Sequence, residues 1–473
     1  MNIRAGSCVM FRFVALVCAT GCAGLALFVP SSPAQSALPA TDLEQTTRDW
    51  LAPLVDRRDF SGVIMIRRGE DQPVALTFGY ADWVDGTPMT AEARFPTGSI
   101  TKSLTAAMVR RLIDEGRLSA DAPVSRYVPE LTGYGAVRIG DIISHTAGLA
   151  RDFPADALPD ARSDSLVAWL GGQTAPGPGP HEYAYSNLGY GILAVVVERV
   201  MNARFETLIA TEFLVPLGMN DSRLARSDAA QGRDVPIGYA AGPLPLDLRA
   251  PMPDSPGLGA AGLVAPMRDL LRLADAVRTR RIDLFESDGS MTGSWSTLLV
   301  NGEPIYTIQG SVPGYSAGIS ILPTRDLTIV YGTNIESYSN WGLRDVLHAL
   351  AQGRDAGSPN LRPATHGLTQ SHLDAVGLYA GSPYGPVSVR SGDGGLDLIL
   401  TQRNWRFHLT PTGEDALNWR LFNIDLEFER DEAGRVTTIS AAEHGLTGDP
   451  RHWRMERTDL PPLPPAEPAD SEN

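Results

Sequence analysis

The stretch that most constrains this chain is Phe95 to Gly116, FPTGSITKSLTAAMVRRLIDEG, in which a glycine-flanked serine opens a long apolar helix. Ile100, Leu104, Met108 and Leu112 recur every fourth residue with Val109 and Ile113 beside them, and Gly116 stands where a helix C-cap belongs. Such a helix is largely buried. Its first turn carries Ser99-Ile100-Thr101-Lys102, and Lys102 is the only lysine among 473 residues; the other 39 of the 40 basic residues are arginine. An arginine keeps its proton, whereas a desolvated lysine gives it up near neutral pH. Three residues apart on a helix, the Ser99 hydroxyl and the Lys102 amine share a face. Ser99 at the helix start also has free backbone N–H groups and the positive end of the dipole at hand, a place where an oxyanion is stabilised. The alternative for an isolated Ser-x-x-Lys is a solvated lysine after a capping serine. The rest of the chain decides between them.

Residues 1–34 place Arg4 and Arg12 before the apolar run Phe13–Val29 and then Pro30-Ser31-Ser32-Pro33-Ala34, the layout of a secretory signal cleaved after Ala34. The expectation is an exported protein, periplasmic or secreted. Two further options are a lipoprotein at Cys22, for which Ala19-Thr20-Gly21 is a poor cleavage box, and an uncleaved N-terminal anchor as the one route to a membrane. All three cysteines (Cys8, Cys18, Cys22) lie in this segment, so its removal leaves neither thiol nor disulfide. It also removes two arginines and no acid, taking the formal charge from −15 to −17. So acidic a chain, without a basic cluster, is a poor partner for nucleic acid. The longest later apolar run, Ile192–Val197, ends at Glu198 and is too short to span a bilayer.

From 41 to 355 the pattern reads as one α+β catalytic region. Val63–Ile66 and Val74–Phe78 around polar Arg67–Gln72 read as a hairpin, and Ile319–Leu322 and Leu327–Tyr331 around Pro323-Thr324-Arg325-Asp326 as a second. Helical periodicity falls between them, at Ser165–Leu170, Asn187–Met201, Phe205–Phe213 and Met267–Val277. Strands at both ends with helices between predict an antiparallel sheet whose first and last strands meet, with a helical cluster inserted. Residues 356–367 read as a Gly/Pro-rich linker. From 368 to 459 the period becomes two, as in Leu396, Leu398, Leu400 and in Ile424, Leu426, Phe428, which predicts a small all-β, barrel-like domain; 460–473 reads as a proline-rich, disordered tail.

Several stretches of the chain resemble the serine β-lactamase and penicillin-binding-protein-like family, nearest its class C, esterase and D-aminopeptidase branches. They are Ser99-x-x-Lys102, DAPVSRYVPEL (121–131), HTAGL (145–149), YSNLGYGIL (185–193), FLVPLGM (213–219), AAGLVAPMRDL (260–270) and VPGYSAGISILP (312–323), in the family's order and spacing. The resemblance implies an α/β sandwich of β-lactamase type, with an appended C-terminal β-barrel, and an acyl-enzyme mechanism with Ser99 as nucleophile and Lys102 and Tyr185 managing its proton. Tyr185-Ser186-Asn187 is similar to the family's Tyr-x-Asn: a phenol lowered in pKa by the ammonium serves as base, and Asn187 bonds Lys102 and a substrate amide. Taken alone, Tyr183, Tyr185 and Tyr190 would read as aromatic packing.

The third family motif, Lys-Thr-Gly or His-x-Gly, falls at Ile308-Gln309-Gly310, so the cation is missing. Gly310 and the N–H of Ser311, with Gln309, remain as oxyanion and substrate candidates. Met291-Thr292-Gly293 lies too far ahead of Pro313 and reads as a loop. His145 reads as a structural histidine at a turn, and the eight scattered histidines offer no metal-ligand spacing. No cofactor or metal is expected. The function expected is a serine hydrolase acting on an ester, lactone or amide without a free carboxylate, with a small-molecule or peptidoglycan-like substrate. A β-lactamase or D-alanyl-D-alanine carboxypeptidase/D-aminopeptidase is the alternative, and a catalytically weak cell-wall-fragment binder on the same scaffold is a further one.

Overall fold

Two apolar faces on one sheet set the architecture. The computed structural model describes residues 40–152, 163–224, 234–240, 248–249, 258–286, 291–337, 339–361, 363–392, 395–401 and 405–461. Its main sheet has six antiparallel strands: β1 (Gly62–Arg68), β2 (Val74–Phe78), β3 (Ser296–Val300), β4 (Glu303–Val312), β5 (Tyr315–Leu322) and β6 (Leu327–Thr333), in the order β3-β4-β5-β6-β1-β2. β1 pairs with β6 from Gly62 opposite Thr333 to Arg68 opposite Leu327, so the N-terminal and C-terminal strands of the region meet, as the sequence predicts.

The run Val63-Ile64-Met65-Ile66 does not alternate with polar residues because both of its faces are covered. Ile64 and Ile66 join Leu43, Leu51 and Leu54 of α1 (Ala40–Asp56) and Leu343, Val346, Leu347 and Leu350 of α8 (Ser339–Ala351) in one core. Val63 and Met65 join the opposite core. That core gathers α2 (Thr101–Asp114), α3 (Ile139–Ile143), α4 (Ser163–Gly171), α5 (Asn187–Met201), α6 (Phe205–Ile209) and α7 (Met267–Arg278). A π-helical turn, Ala210–Leu214, continues α6. α2 ends as its sequence suggests: Gly116 has φ +69° and its N–H donates to Ile113 O, while Arg117 N–H donates to Leu112 O.

From Gly377–Ala380 to Arg451–Arg457, eight strands close into an all-antiparallel barrel. Its interior is filled by the period-two residues, among them Leu396, Leu398, Leu409, Leu417, Ile424 and Leu426. One barrel loop docks on the catalytic region. Leu446 is buried in the α1/α8 core and lies against Gly342, where an added Cβ would come within 2.5 Å of the leucine Cβ. Asn360 Nδ2 donates to the carbonyls of Gly445 and Gly448 in the same loop. The expected signal segment and nearly all of the expected tail lie outside the described residues. Among the described residues no helix is long and apolar enough to cross a membrane.

Candidate active site

The site forms where the start of α2 meets the free end of β4. A single 3₁₀ turn, Gly98–Ile100, precedes α2 and presents Ser99. This turn and β4 approach so closely that each needs a glycine. Gly98 has φ +52°, and a Cβ on it would lie 2.7 Å from Ser311 N. A Cβ on Gly310 would lie 2.1 Å from Thr97 O and 2.5 Å from Ser99 N. The backbone N–H groups of Ser99 and Ser311 therefore come to one junction, the arrangement an oxyanion requires.

Lys102, one turn further along α2, is 0% exposed. Its Nζ donates to Ser99 Oγ at 3.1 Å, to Asn187 Oδ1 at 2.7 Å and to Ala260 O at 2.8 Å. Ala260 is held in place by Gly259, whose φ of +68° and lack of Cβ let it press on Tyr190 O. Burial lowers the Lys102 pKa to about 7; Asp152 opposes the shift and Arg151 adds to it. The amine is thus partly neutral at physiological pH. Tyr185 Oη lies 2.5 Å from Ser99 Oγ, its ring 4.9 Å from Lys102 Nζ.

Tyr185 and Asn187 come from the N-terminal end of α5. Ser186 caps that helix, its Oγ accepting from Gly189 N–H at 2.9 Å and donating to Ala150 O at 2.6 Å. His145, at φ +58°, lies beneath the motif: its Nδ1 accepts from Ser186 N–H at 3.0 Å and its ring stacks on Tyr185 at 4.6 Å. Burial lowers its pKa to about 4, helped by Lys102 and Arg151, so the ring is neutral with its proton on Nε2, toward Ser294 Oγ at 3.3 Å. His145 stands behind the motif rather than at Ser99 and fixes the Tyr185–Asn187 segment.

The β-lactamase family model matches residues 47–352, well over half of the chain, and that span contains every element just described. The chain belongs to the β-lactamase family. Penicillin-binding protein 4* of Bacillus subtilis (strain 168) is 29% identical to this family member over 179 residues, 36% of this chain and 39% of that protein. The structure of the D-amino acid amidase from Ochrobactrum anthropi SV3 complexed with L-phenylalanine amide matches with a TM-score of 0.58 and 19% identity, over 66% of this chain and 98% of that one. A class C β-lactamase matches with a TM-score of 0.56 and 21% identity, over 67% and 98%. At such identities the structural likeness concerns the fold. The chain spans less than two thirds of the length of the first curated relatives it matches.

Two expectations change within this family frame. Gln309 does not join the site, because side chains alternate along β4 and Gly310 already faces Ser99. The Gln309 amide instead crosses the other face of the sheet, where Nε2 donates to Tyr331 Oη and Oε1 accepts from Arg344 at 3.5 Å. Tyr185 also differs from the expected phenolate. Burial raises its pKa, outweighing the hydrogen bonds from Ser99 and Ser294, so the phenol keeps its proton and the neutral amine of Lys102 is the stronger base present. Ile308, in the place of the family's cation, is 2% exposed and packed in the core of the helical side.

Sequence reasoning missed Arg151, Asp152, Ser294 and the carbonyl of Ala260. Arg151 lies 5.0 Å over the Tyr185 ring, and an oxygen of Asp152 accepts from Asn187 Nδ2. Met291-Thr292-Gly293 is outside any helix or long strand, yet it backs the site: a Cβ on Gly293 would meet Ala106 Cβ at 3.1 Å and Lys102 O at 3.3 Å. Ala260 belongs to the motif AAGLVAPMRDL; the others carry no signal in spacing or periodicity. Among the described residues no cluster of His, Cys, Asp and Glu has the makings of a metal site.

Proposed function

We propose that this protein is a serine acyl hydrolase that cleaves an ester, lactone or amide through an acyl-enzyme on Ser99. One observation carries the reading: the only lysine of the chain has a buried amine with its pKa brought to about 7, 3.1 Å from a serine hydroxyl at a helix start. Ser99 Oγ attacks the carbonyl carbon and its proton passes to the Lys102 amine, directly or through Tyr185. The carbonyl oxygen becomes an oxyanion held by the N–H groups of Ser99 and Ser311. As the tetrahedral intermediate collapses, the leaving oxygen or nitrogen takes a proton from Tyr185, which Lys102 replenishes. Water then attacks the acyl carbon, giving its proton to the same amine, which passes it to Ser99 Oγ as the acyl C–O bond breaks. Asn187 keeps the amine in place.

Ile308 supports a substrate without a free carboxylate next to the scissile bond, since an alkyl side chain in the core offers an anion neither charge nor hydrogen bond. The likeness to an amidase structure holding an amino-acid amide is in keeping with this. Export through a cleaved N-terminal signal is part of the proposal, resting on Arg4, Arg12 and Phe13–Val29. The test is intact mass and product release with short-chain p-nitrophenyl esters and with a penicillin, beside Ser99→Ala. An ester-derived adduct or turnover that Ser99→Ala abolishes is expected. Equal turnover by the alanine variant refutes the nucleophile, and rapid penicillin turnover refutes the exclusion of carboxylates.

A further inference from the structure

The Ala150–Asp152 segment is joined to the Tyr-x-Asn turn by three successive hydrogen bonds. Ser186 Oγ donates to Ala150 O at 2.6 Å, Asn187 N–H to Arg151 O at 2.6 Å, and Asn187 Nδ2 to Asp152 Oδ1. The first two fix the backbone; the third fixes the amide. A carboxylate only accepts, so it can meet only the NH₂ end of Asn187. The carbonyl end must then point the other way, where it takes the Lys102 amine at 2.7 Å. Turned over, the amide would present N–H groups to an N–H donor and leave the buried amine without one of its three acceptors.

We propose that Asp152 is a positioning residue for catalysis, locking the Asn187 amide so that its carbonyl holds the Lys102 amine on Ser99. This rests on the acyl-hydrolase reading above. The groups facing Lys102 are few: Tyr185 and Tyr190, whose rings lie 4.9 and 5.6 Å from Nζ, His145 behind Tyr185, and the charges of Arg151 and Asp152 at the mouth. Arg151 and Asp152 act on the amine with opposite signs, Asp152 favouring the ammonium and Arg151 the free base. Both side chains are more than half exposed and 3.5 Å apart, so solvent keeps the pair weak while Asp152 retains its bond to Asn187.

Two variants separate position from charge. In Asp152→Ala the amide loses its acceptor, and kcat for a p-nitrophenyl ester falls about 10- to 100-fold with KM within about twofold, the scale expected of a small misplacement. Asp152→Asn retains an oxygen acceptor and holds kcat within about threefold. Because Lys102 is the only lysine, [ε-¹³C]lysine labelling gives one side-chain resonance, whose titration midpoint moves to lower pH in both variants as a negative charge is removed. A purely electrostatic role would move that midpoint and change kcat equally in both variants, and a merely structural loop contact would lower the melting temperature without separating the two variants in kcat. Wild-type kcat in Asp152→Ala overturns the proposal, and so does an equal loss of kcat in both variants. Failure of the hydrolase reading looks different: Ser99→Ala would turn over ester undiminished, while the lysine titration, which needs no turnover, would still report on Asp152.

Discussion

Lys102→Arg is the perturbation that bears most directly on the chemistry. At pH 7.5 a lysine of pKa about 7 is roughly three quarters free base, whereas one at its ordinary value of about 10.5 is neutral about one time in a thousand. Burial therefore enriches the catalytic form about a thousandfold, and arginine forfeits all of it because its guanidinium stays charged. The expected loss in kcat/KM is about 10³-fold or more, at the strong end of general acid–base effects. The sign on pH follows from which form works. A neutral amine takes the serine proton, so log kcat/KM for the wild type rises with unit slope below about pH 7 and levels above it. The assay is p-nitrophenyl ester hydrolysis from pH 5.5 to 8.5 beside the [ε-¹³C]lysine titration, with the spectroscopic and kinetic midpoints coinciding. A rate flat through this range, a ¹³C midpoint near 10, or a folded Lys102→Arg variant of full activity would falsify the reasoning.

The remaining expectations concern the supports of the site. Tyr185→Phe removes the hydroxyl 2.5 Å from Ser99 Oγ and lowers kcat about 10²-fold with an unchanged circular dichroism spectrum; a loss below twofold would leave the relay to Lys102 alone. Gly310→Ala drives a methyl into Thr97 O and Ser99 N, so soluble protein, if recovered, melts lower and turns over ester at least about 10²-fold more slowly; normal activity would show that the two chains part easily. His145, with a pKa of about 4 against about 6.5 when unfolded, makes stability fall by about 3 kcal/mol as pH drops from 6.5 to 4; in denaturant melts the wild type should lose that much relative to His145→Gln over this range. Leu446→Ala empties the seat of the barrel loop on α8, lowering stability by about 2–4 kcal/mol by chemical denaturation while ester turnover at 20 °C is retained.

What could be read in the sequence and what could not divide along physical lines. The two hairpins, α5 from Asn187 to Met201 and the period-two barrel strands follow from patterns confined to a few neighbouring residues, and the structure has them. Ser99 and Lys102 were legible because three residues on a helix suffice to bring them together, and Tyr185 because a resemblance supplied what spacing alone does not. α1 and α8 went unremarked although they cover a whole face of the sheet. Asp152 was invisible: its bond to Asn187 joins positions 35 apart through a loop with no periodicity. Gln309 was misplaced because the motif alignment fixes its backbone, while the pleat and the hydroxyl of Tyr331 decide where its side chain goes.

The direction of the Tyr185 shift bears on how this chain dispenses with the third-motif cation. A second positive charge at position 308 would push the Lys102 pKa lower by repulsion and stabilise a phenolate at Tyr185. Without it, burial as the largest influence, with Arg151 adding to it and Asp152 opposing it, brings the lysine to about 7, and burial leaves the tyrosine protonated. On the proposed acyl-hydrolase reading the proton of Ser99 then has one acceptor, the amine, and the phenol serves as a conduit. Acyl transfer by this arrangement needs no further cation, since the oxyanion is met by backbone N–H groups that Gly98 and Gly310 bring together whatever occupies position 308. On the same proposal the loss at 308 falls on substrate choice rather than on bond cleavage. Lysine introduced there would have to leave a position 2% exposed in the core, so carboxylate recognition would not be restored by one substitution.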